Sequence, residues 1–589
     1  MKTRRDFLRN AVIAGAGVAA GTIVPQASAA SISHVQWDKE ADIVVVGAGA
    51  TGLPAAIQAR DDGASVILLE AAKDIGGHAI VSGGNVPLGG GTSIQKKYNI
   101  ADTPDLLFSD LTDWSVVEPN GFPDYRYNDR EIIRAFADNS APTFEWLVAH
   151  GVIFVDKDPD NFGGTSVGNS VFREMHSAPM AWNRPETGNP FPRAAQAIAS
   201  HGVGLMRPLE VTARKSGVQI LLEHRMTGLI RETPNSGRVI GVKVETKGVK
   251  LNIRARKAVI LGTGGFSGNV NFRRIFDPRL TEEYCGVAGE PWSFQDASGE
   301  LAAMAVGASL WGAFNQTGEF GSNITKPGQI GCQYGYNHLR WMPGSPVFQS
   351  ARASGLGVGD WQNLILVNQA GQRFYNETAG QFTANNSHAV SPYTQGSYRN
   401  PNNVKYDPNS VNFINAALAG TGLPVNGGGP IWAIFDADAV KRESWDTKPP
   451  NVDFDGGYFF TANTIAELAG KVVMKYQPKG LPAAALQDAV ARYNSFVDAG
   501  KDADFGKPAP KYRIQTAPFY AAWATPVVHD SRAGLRINGQ CQVMDLEGKV
   551  IPGLYCGGES AGGFSQHGLA RCTVQGRIAA MHAVAKTKA

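Results

Sequence analysis

The sequence is poor in charge and contains no long run of one sign. Charged residues make up 18% of the 589 residues, and no low-complexity tract occurs. With 43% hydrophobic residues, and with glycine and proline spread along the chain, the composition excludes a disordered chain, a collagen and a coiled coil. A single hydrophobic core usually stops growing at about 250–300 residues, so we expect two or more domains.

Cysteine is also scarce. None of the five cysteines, at positions 285, 332, 541, 556 and 572, belongs to a C-x-x-C or C-x-x-C-H pattern. The spacing gives no support for covalent haem, an iron–sulfur cluster or a zinc knuckle, and we predict no metal site. Buried packing is the default interpretation of such thiols.

The small excess of positive charge belongs to the N-terminus. Residues 1–29 contain four basic side chains and one acidic side chain, which leaves 51 basic and 51 acidic side chains in the rest of the chain. A neutral chain has no electrostatic attraction for phosphates, so we expect no nucleic-acid partner.

The N-terminus carries the three parts of an export signal. A twin-arginine pattern surrounds Arg4 and Arg5, a mildly apolar stretch follows at residues 11–24, and an A-x-A site lies at residues 27–29. We predict a Tat signal peptide over residues 1–29 and a periplasmic mature protein; the alternative is a basic helix that stays attached. The apolar stretch is shorter than the roughly 20 residues of a membrane span, and no later segment reaches that length without charge, so we expect no membrane span.

A strand, a glycine turn and a helix follow one another just after this signal. Residues 41–46 form a β-branched apolar run, and residues 47–52 read G-A-G-A-T-G before a helical pattern. Gly47 permits the tight turn, Gly49 lets a pyrophosphate approach the backbone, and Gly52 lets the helix pack on the strand. This order of elements predicts a dinucleotide-binding site.

Further cofactor contacts are expected downstream. A second strand at residues 65–69 ends at Glu70, whose carboxylate can accept hydrogen bonds from the ribose hydroxyls. Residues 75–85 form a second glycine-rich passage that suits a large flat cofactor, although surface turns are the alternative. The candidate contacts in these segments are Ala50, Glu70, Gly76, Gly77, His78, Ser82, Gly83 and Gly84.

Two distant segments lead back to the same site. Strand-like runs at residues 218–222, 237–244 and 258–261 end in a glycine turn, and residues 553–563 precede a last helix at roughly residues 569–585. The candidate cofactor contacts here are Thr263, Gly264, Gly265 and Glu559.

From about Asp42 to its C-terminus, the chain resembles the FAD-dependent fumarate reductase and 3-ketosteroid dehydrogenase superfamily. The shared motifs are G-A-G-A-T-G, L-L-E with the following G-G, A-V-I-L-G-T-G-G-F, L-V-N-Q-A-G-Q-R-F-Y-N-E at residues 366–377 and P-G-L-Y-C-G-G-E at residues 552–559. The resemblance implies an FAD cofactor and an α/β fold. It predicts a Rossmann-like, glutathione-reductase-like FAD-binding domain at residues 38–325 and 526–587, interrupted by an α+β capping domain at residues 326–525.

The resemblance also indicates which position corresponds to the proton donor of the family. The arginine that acts as the acid in fumarate reductases corresponds to Gln381, and ketosteroid dehydrogenases carry a tyrosine there. Of the residues that feed protons to that arginine, Arg352 is retained, whereas the glutamate corresponds to Gln349. The fumarate-type relay is therefore incomplete; Tyr375, Tyr393, Tyr398 and His388 are nearby alternative donors.

Two segments resemble substrate-binding motifs. His529 matches the histidine that holds the substrate carboxylate, or else is a structural hinge between cap and FAD domain. Residues 566–571 resemble H-G-x-N-R, which would make Arg571 a carboxylate clamp. In the ungapped alternative, Gly568 and Leu569 lie under the flavin pyrimidine ring and Arg571 belongs to the last helix; His567 adjoins the flavin either way.

Together these features predict a periplasmic FAD oxidoreductase that reduces or forms a C=C bond conjugated to a carbonyl or carboxylate. Electrons would pass to or from a separate carrier, for which we expect a periplasmic cytochrome, with a quinone or oxygen as alternatives. A dehydrogenase of a cyclic ketone, a direct oxidase and a non-catalytic flavin-binding protein are the rival hypotheses. Aromatic residues such as Trp311 and Trp361 favour a substrate bulkier than fumarate, unless they only pack in the core.

Overall fold

The structure is a computed structural model, and it describes residues 35–112, 128–159, 170–181, 199–276, 280–283, 286–312, 318–319, 322–325, 327–335, 348–374, 376–378, 430–564 and 568–585. Several predicted features lie outside the described residues: the signal peptide, Gln381, His567 and the alternative donors Tyr375, His388, Tyr393 and Tyr398.

The described chain contains both helices and strands. The helices are α1 (Gly52–Asp61), α2 (Gly77–Ile80), α3 (Ser93–Lys97), α4 (Pro104–Thr112), α5 (Arg130–Ala149), α6 (His201–Lys215), α7 (Val270–Phe276), α8 (Ser298–Met304), α9 (Phe348–Ala351), α10 (Ala437–Glu443), α11 (Ile465–Lys471), α12 (Ala483–Ala499) and α13 (Leu569–Ala585). Short 3₁₀ turns span Trp361–Asn363 and Gly558–Ser560. The strands are β1 (Lys39–Val46), β2 (Val66–Leu69), β3 (Asn85–Pro87), β4 (Glu174–His176), β5 (Met180–Ala181), β6 (Ala199–Ser200), β7 (Gln219–Leu221), β8 (Arg225–Thr233), β9 (Ser236–Thr246), β10 (Val249–Leu261), β11 (Gly286–Val287), β12 (Leu310–Trp311), β13 (Gly318–Glu319), β14 (Ser322–Thr325), β15 (Gln329–Ile330), β16 (Leu356–Gly357), β17 (Ile365–Val367), β18 (Trp432–Asp436), β19 (Phe459–Ala462), β20 (Phe519–Trp523), β21 (Val527–Ser531), β22 (Gly534–Leu535), β23 (Gln542–Met544) and β24 (Val550–Cys556).

The main sheet is built around parallel strands in the order β7-β2-β1-β10-β24. β23 pairs antiparallel with β24, and β8 and β9 continue antiparallel from the first half of β10. Ile43, Val44 and Val45 of β1 have no exposed surface. Such continuous apolar strands are expected where a parallel sheet is covered on both faces.

The first and last helices of the described chain pack against each other beside this sheet. α13 contacts α1 and β10. A Cβ at Gly576 of α13 would lie only 2.2 Å from the carbonyl oxygen of Thr51. The C-terminal helix therefore closes directly on the turn that begins α1, which explains why a glycine occupies this position.

A second sheet has its own hydrophobic core. Its strands are antiparallel in the order β17-β18-β20-β19. Because strand side chains alternate between faces, Ile434 packs with Leu486 of α12, whereas the next residue, Phe435, packs against Trp445. This sheet lies within the segment predicted to form the cap, and the domain boundaries themselves stay a prediction.

Buried ion pairs stabilise the second sheet near the end of β17. Arg373 donates hydrogen bonds to Glu377 at 2.7 and 2.9 Å and to Asp502 at 2.7 Å. Lys507 Nζ lies 3.3 Å from the Glu377 carboxylate. A buried carboxylate with two cationic partners fixes the segment that leads toward Gln381.

The predicted fold class is confirmed: the protein is mixed α/β, with a parallel, Rossmann-like sheet and a separate antiparallel sheet. Within the described ranges, no helix combines the length and apolar character needed to cross a membrane.

Candidate functional site

The first glycine turn joins β1 to α1 with little free space. Gly47 has a φ of +95°, and a Cβ on it would lie 2.3 Å from the carbonyl oxygen of Gly262. A Cβ on Gly52 would lie 1.8 Å from the carbonyl oxygen of Gly47. Gly49 differs, because the nearest protein atom to its Cβ position is 3.9 Å away. Packing thus requires glycine at two positions, while the third leaves room for a ligand.

Glu70 follows β2 and joins the same turn. Its carboxylate accepts hydrogen bonds from the backbone N–H of Ala48 at 2.9 Å and of Ala72 at 2.8 Å. Burial raises the pKa of this carboxyl, and these backbone donors oppose the shift. The side chain is therefore held in place beside the glycine turn, where the sequence predicts the ribose contact.

The second glycine passage is anchored from α6. Arg207 makes a buried two-pronged ion pair with Asp74, with distances of 2.6 and 2.9 Å. Asp74 stands just before Gly76, whose φ is +109° and whose Cβ position would clash with Ile80. The pair thus fixes the loop that carries Gly77 and His78.

The passage continues as a compact turn around Ser82. Its hydroxyl donates to the carbonyl of Ala79 at 2.7 Å and accepts the N–H of Gly84 at 3.2 Å. Gly84 has a φ of +69°, and a Cβ there would lie 2.5 Å from that of His201. Ser82 and Gly84 therefore shape the turn, with Gly83 between them.

Two serines that the sequence reasoning missed tie the later segments together. The Ser560 hydroxyl lies 2.8 Å from that of Thr263 and accepts the N–H of Gly265 at 3.1 Å. The Ser531 hydroxyl accepts the N–H of Phe266 at 3.1 Å. The sequence pointed to these serines only indirectly, because Ser560 follows Glu559 and Ser531 lies in the segment of His529.

The end of the site is formed by the start of α13. Gly568 has a φ of +97° and lies against Pro87 and the carbonyl of Asn85 in the second glycine passage. Leu569 begins the helix, and Arg571 lies in its first turn. Arg571 thus belongs to the last helix, as in the ungapped alternative, and the flavin contacts of Gly568 and Leu569 stay a prediction.

Arg571 is engaged inside the protein. Its Nη1 donates to the carbonyl of Phe564 at 2.7 Å, and its Nη2 donates to the carbonyl of Ser531 at 3.0 Å. The side chain is buried. These contacts give Arg571 a positioning role, because it holds the end of β21 against the start of α13. Its role as a carboxylate clamp stays a prediction.

Four titratable side chains meet where these segments converge. His78 Nδ1 lies 3.9 Å from Glu559 Oε1, and His529 Nδ1 lies 2.9 Å from Asp530 Oδ1. One ligand atom of each of His78, Asp530 and Glu559 lies within 4.8 Å of the others. The rings of His78 and His529 meet edge to face with centroids 5.9 Å apart. We call these four residues the acid–histidine cluster.

Ionisation of both carboxyls of the cluster at once is electrostatically unfavourable. At 4.8 Å, two carboxylates repel by about 3 kcal/mol if the effective dielectric constant is about 20. Burial, followed by the charge of Asp530, raises the pKa of Glu559 to about 8, while Arg571 and Arg532 oppose the shift. Arg532 Nη2 lies 3.6 Å from Asp530 Oδ2, which puts a positive charge beside the Asp530 carboxyl.

Arg352, which follows α9, pairs with a residue outside the acid–histidine cluster. Its side chain is 48% exposed, and its Nη2 donates to Asp453 at 3.0 Å. The described contacts of Arg352 are thus those of a surface ion pair. Its predicted relay partner position, Gln381, lies outside the described residues.

The space beside the glycines fits a bound FAD. Cβ positions at Gly77 and Gly264 meet no protein atom within 4 Å, and the one at Gly49 is nearly as open. Around this opening lie the start of α1, the Glu70 carboxylate and the Thr263–Gly265 turn. A helix N-terminus and clustered backbone amides suit the pyrophosphate, and an acidic side chain suits the ribose.

Comparison with known proteins agrees with this geometry. Residues 42–572 match the family described as FAD binding domain. The fumarate reductase (cytochrome) of Shewanella frigidimarina is 28% identical over 548 residues, covering 91% of this chain and 74% of that protein. The acrylate reductase flavoprotein subunit of Shewanella woodyi is 27% identical over 603 residues, covering 98% and 97%.

A solved structure shows the same fold. The 3-ketosteroid Δ1-dehydrogenase from Sterolibacterium denitrificans, in complex with 1,4-androstadiene-3,17-dione, has a TM-score of 0.61 at 20% identity and covers 93% of this chain and 100% of that chain. The resemblance to the fumarate reductase and ketosteroid dehydrogenase superfamily is thus confirmed. Since the family match spans most of the chain and the glycine segments build the cradle that FAD needs, this protein belongs to the FAD binding domain family and is an FAD-dependent oxidoreductase.

Proposed function

We propose that this oxidoreductase, which acts on CH–CH groups, reduces a C=C bond conjugated to a carboxylate or a carbonyl. The observation that carries the proposal is the acid–histidine cluster at the cofactor segments, because reduction of such a bond needs a hydride and a proton in one place. The similarity to an acrylate reductase subunit and a fumarate reductase supports the same class of substrate.

In this proposal, different residues bind FAD, contact the substrate and position the substrate-binding strand. The glycine turns, Glu70 and the start of α1 hold FAD, which supplies the hydride-transfer chemistry when bound. We assign to His529, which is buried, contact with the substrate carboxylate or carbonyl and stabilisation of negative charge there. Arg571 keeps the strand that carries His529 against α13.

We further propose that the protein works in the periplasm after Tat export and takes its electrons from a separate carrier. The twin-arginine pattern supports export, and the lack of a haem or cluster motif in the sequence supports an external carrier. A periplasmic cytochrome is the carrier we expect, with a quinone as the alternative.

An anaerobic stopped-flow experiment tests the reaction. The purified protein is reduced with dithionite and mixed with unsaturated acids, enones or ketosteroids, and the oxidised flavin band is followed. We expect rapid reoxidation by an unsaturated acid. Reoxidation by none of them, together with bleaching of the oxidised protein by a saturated cyclic ketone, would reverse the direction to dehydrogenase. No response to either set would leave the non-catalytic flavin-binding protein as the better description.

A further inference from the structure

The acid–histidine cluster joins the cofactor side of the site to the substrate side. Glu559 lies in the turn Gly558–Ser560 and His78 in the glycine passage, so both belong to segments assigned to FAD. His529 and Asp530 belong to β21, the strand to which substrate contact is assigned. His78 and Glu559 form one pair at 3.9 Å, and His529 and Asp530 form another at 2.9 Å. The two pairs adjoin, because ligand atoms of His78, Glu559 and Asp530 lie within 4.8 Å of one another.

Charged and titratable neighbours on β21, α2 and α13 set the charge of the cluster, and Glu290 follows Gly289, which packs against the His78 ring. β21 and its continuation supply Asp530 and Arg532, α2 supplies His78, and α13 supplies Arg571 and Cys572. Burial raises the pKa of Cys572 to about 11, so this thiol stays neutral near neutral pH. With Glu559 protonated and Asp530 ionised, the guanidinium of Arg532 balances the carboxylate. The two guanidinium groups also disfavour a metal cation between the carboxyls.

We propose, on the basis of the proposed function, that Glu559 and Asp530 share one proton and that this pair supplies, through His529, the proton added to the substrate. Each reduction consumes two electrons from the carrier and two protons. Both electrons and one proton, taken from solvent, would reach one carbon of the double bond as the hydride that bound FAD supplies. The second proton leaves a nitrogen of His529 and forms the new C–H bond at the neighbouring carbon. His529 then regains a proton from the carboxyl pair, which is refilled from solvent. This route takes the place of a relay through the cap, whose positions carry Gln349 and Gln381.

An infrared titration tests the shared proton without any substrate. A protonated carboxyl has a C=O band that is lost on ionisation, and we expect such a band to disappear as the pH rises through about 8 in both the apoprotein and the FAD-loaded protein. Glu559→Gln should remove this band. In Asp530→Asn, the band should disappear at lower pH than in the wild type, because a neighbouring negative charge is removed.

Glu300→Gln is the matched control. Glu300 is another buried carboxyl whose pKa burial raises to about 8, and it lies in the first turn of α8, outside the acid–histidine cluster. Its substitution should remove a separate band and leave the Asp530-dependent band in place. An unchanged infrared titration in Glu559→Gln, or no shift in Asp530→Asn, would overturn the shared proton.

The pH profile of substrate-driven flavin reoxidation tests the delivery step. We expect both Glu559→Gln and Asp530→Asn to slow this rate about 10²–10⁴-fold. Glu559→Gln should also abolish the decline of the rate above pH 8, Asp530→Asn should move that decline to lower pH, and Glu300→Gln should keep the wild-type profile. Wild-type rates and profiles in both cluster variants would overturn proton supply by the pair. If no substrate reacts even with the wild type, the proposed function fails, and the infrared titration still decides whether the pair holds a proton.

Discussion

Glu300 is a buried acid without a hydrogen-bond donor for its carboxylate oxygens among the described residues. Burial raises its pKa from 4.5 to about 8. Because the folded-state value lies above the unfolded value, the folded state binds the proton more tightly. This stabilisation is complete below pH 4.5 and is lost as the pH rises through about 8.

Glu300→Gln should therefore change the pH dependence of stability. We expect the free energy of unfolding of the variant, relative to wild type, to increase by on the order of 3–5 kcal/mol between about pH 5 and about pH 8. Urea unfolding at both pH values measures the difference. Glu547→Gln is the control, because Glu547 is 71% exposed in a surface ion pair with Lys549 and should change stability by about 0.5 kcal/mol or less. A difference that does not vary with pH would contradict the assignment.

Individual residues were predictable where a local pattern fixes them. Glu70 stands at the end of a strand and beside a glycine turn, which is enough to place its carboxylate. The approach of Asp530 to Glu559 was not predictable, because it depends on how the chain after β21 crosses the turn Gly558–Ser560. The crossing is close: a Cβ at Gly534 would lie 2.5 Å from the carbonyl oxygen of Ser560. The two destinations of Arg571 differed only by a gap in alignment, which periodicity does not resolve.

At the scale of elements, the β1–turn–α1 unit separates packing from ligand binding. Gly52→Ala should destabilise the apoprotein by more than about 1–2 kcal/mol and lower its melting temperature by at least about 2 °C. The reason is that its Cβ would lie 1.8 Å from a carbonyl oxygen. Gly49→Ala should leave the apoprotein fold nearly unchanged but lose FAD, since the added Cβ enters open space. Thermal melts and the ratio of flavin to protein measure both effects.

Two results with these variants would contradict the expectations. Full FAD content in a folded Gly49→Ala protein would mean that the pyrophosphate does not approach this backbone. An unaltered melting temperature in Gly52→Ala would mean that α1 can move away from the turn.

The elements of the FAD-binding part were largely predictable from hydrophobic patterning. The runs at residues 41–46 and 65–69 correspond to β1 (Lys39–Val46) and β2 (Val66–Leu69), and the last helix has the expected bounds, Leu569–Ala585. The strand order of the second sheet was not predictable. β18 pairs with β17 and β20, partners that depend on tertiary packing rather than on local pattern.

At the scale of the whole molecule, export is the property that the sequence alone indicates. Replacing both Arg4 and Arg5 by lysine should keep the protein, with its FAD, in the cytoplasm, because the twin-arginine pattern is what the Tat pathway reads. Fractionation of cells followed by immunoblotting measures the distribution. Arg9→Lys, which leaves the pair intact, is the control and should still reach the periplasm; an exported double variant would contradict the Tat assignment.

The closure of α13 on the first glycine turn makes the cofactor site depend on a contact between residues that lie far apart in the sequence. Thr51 is synthesised long before Gly576, the glycine that packs on it. Until α13 has been made, a nascent chain possesses the first dinucleotide turn without the helix that closes on it. Retention of flavin should therefore report that α13 has been made and has docked, and a chain stalled before α13 would be left without colour and open to proteolysis.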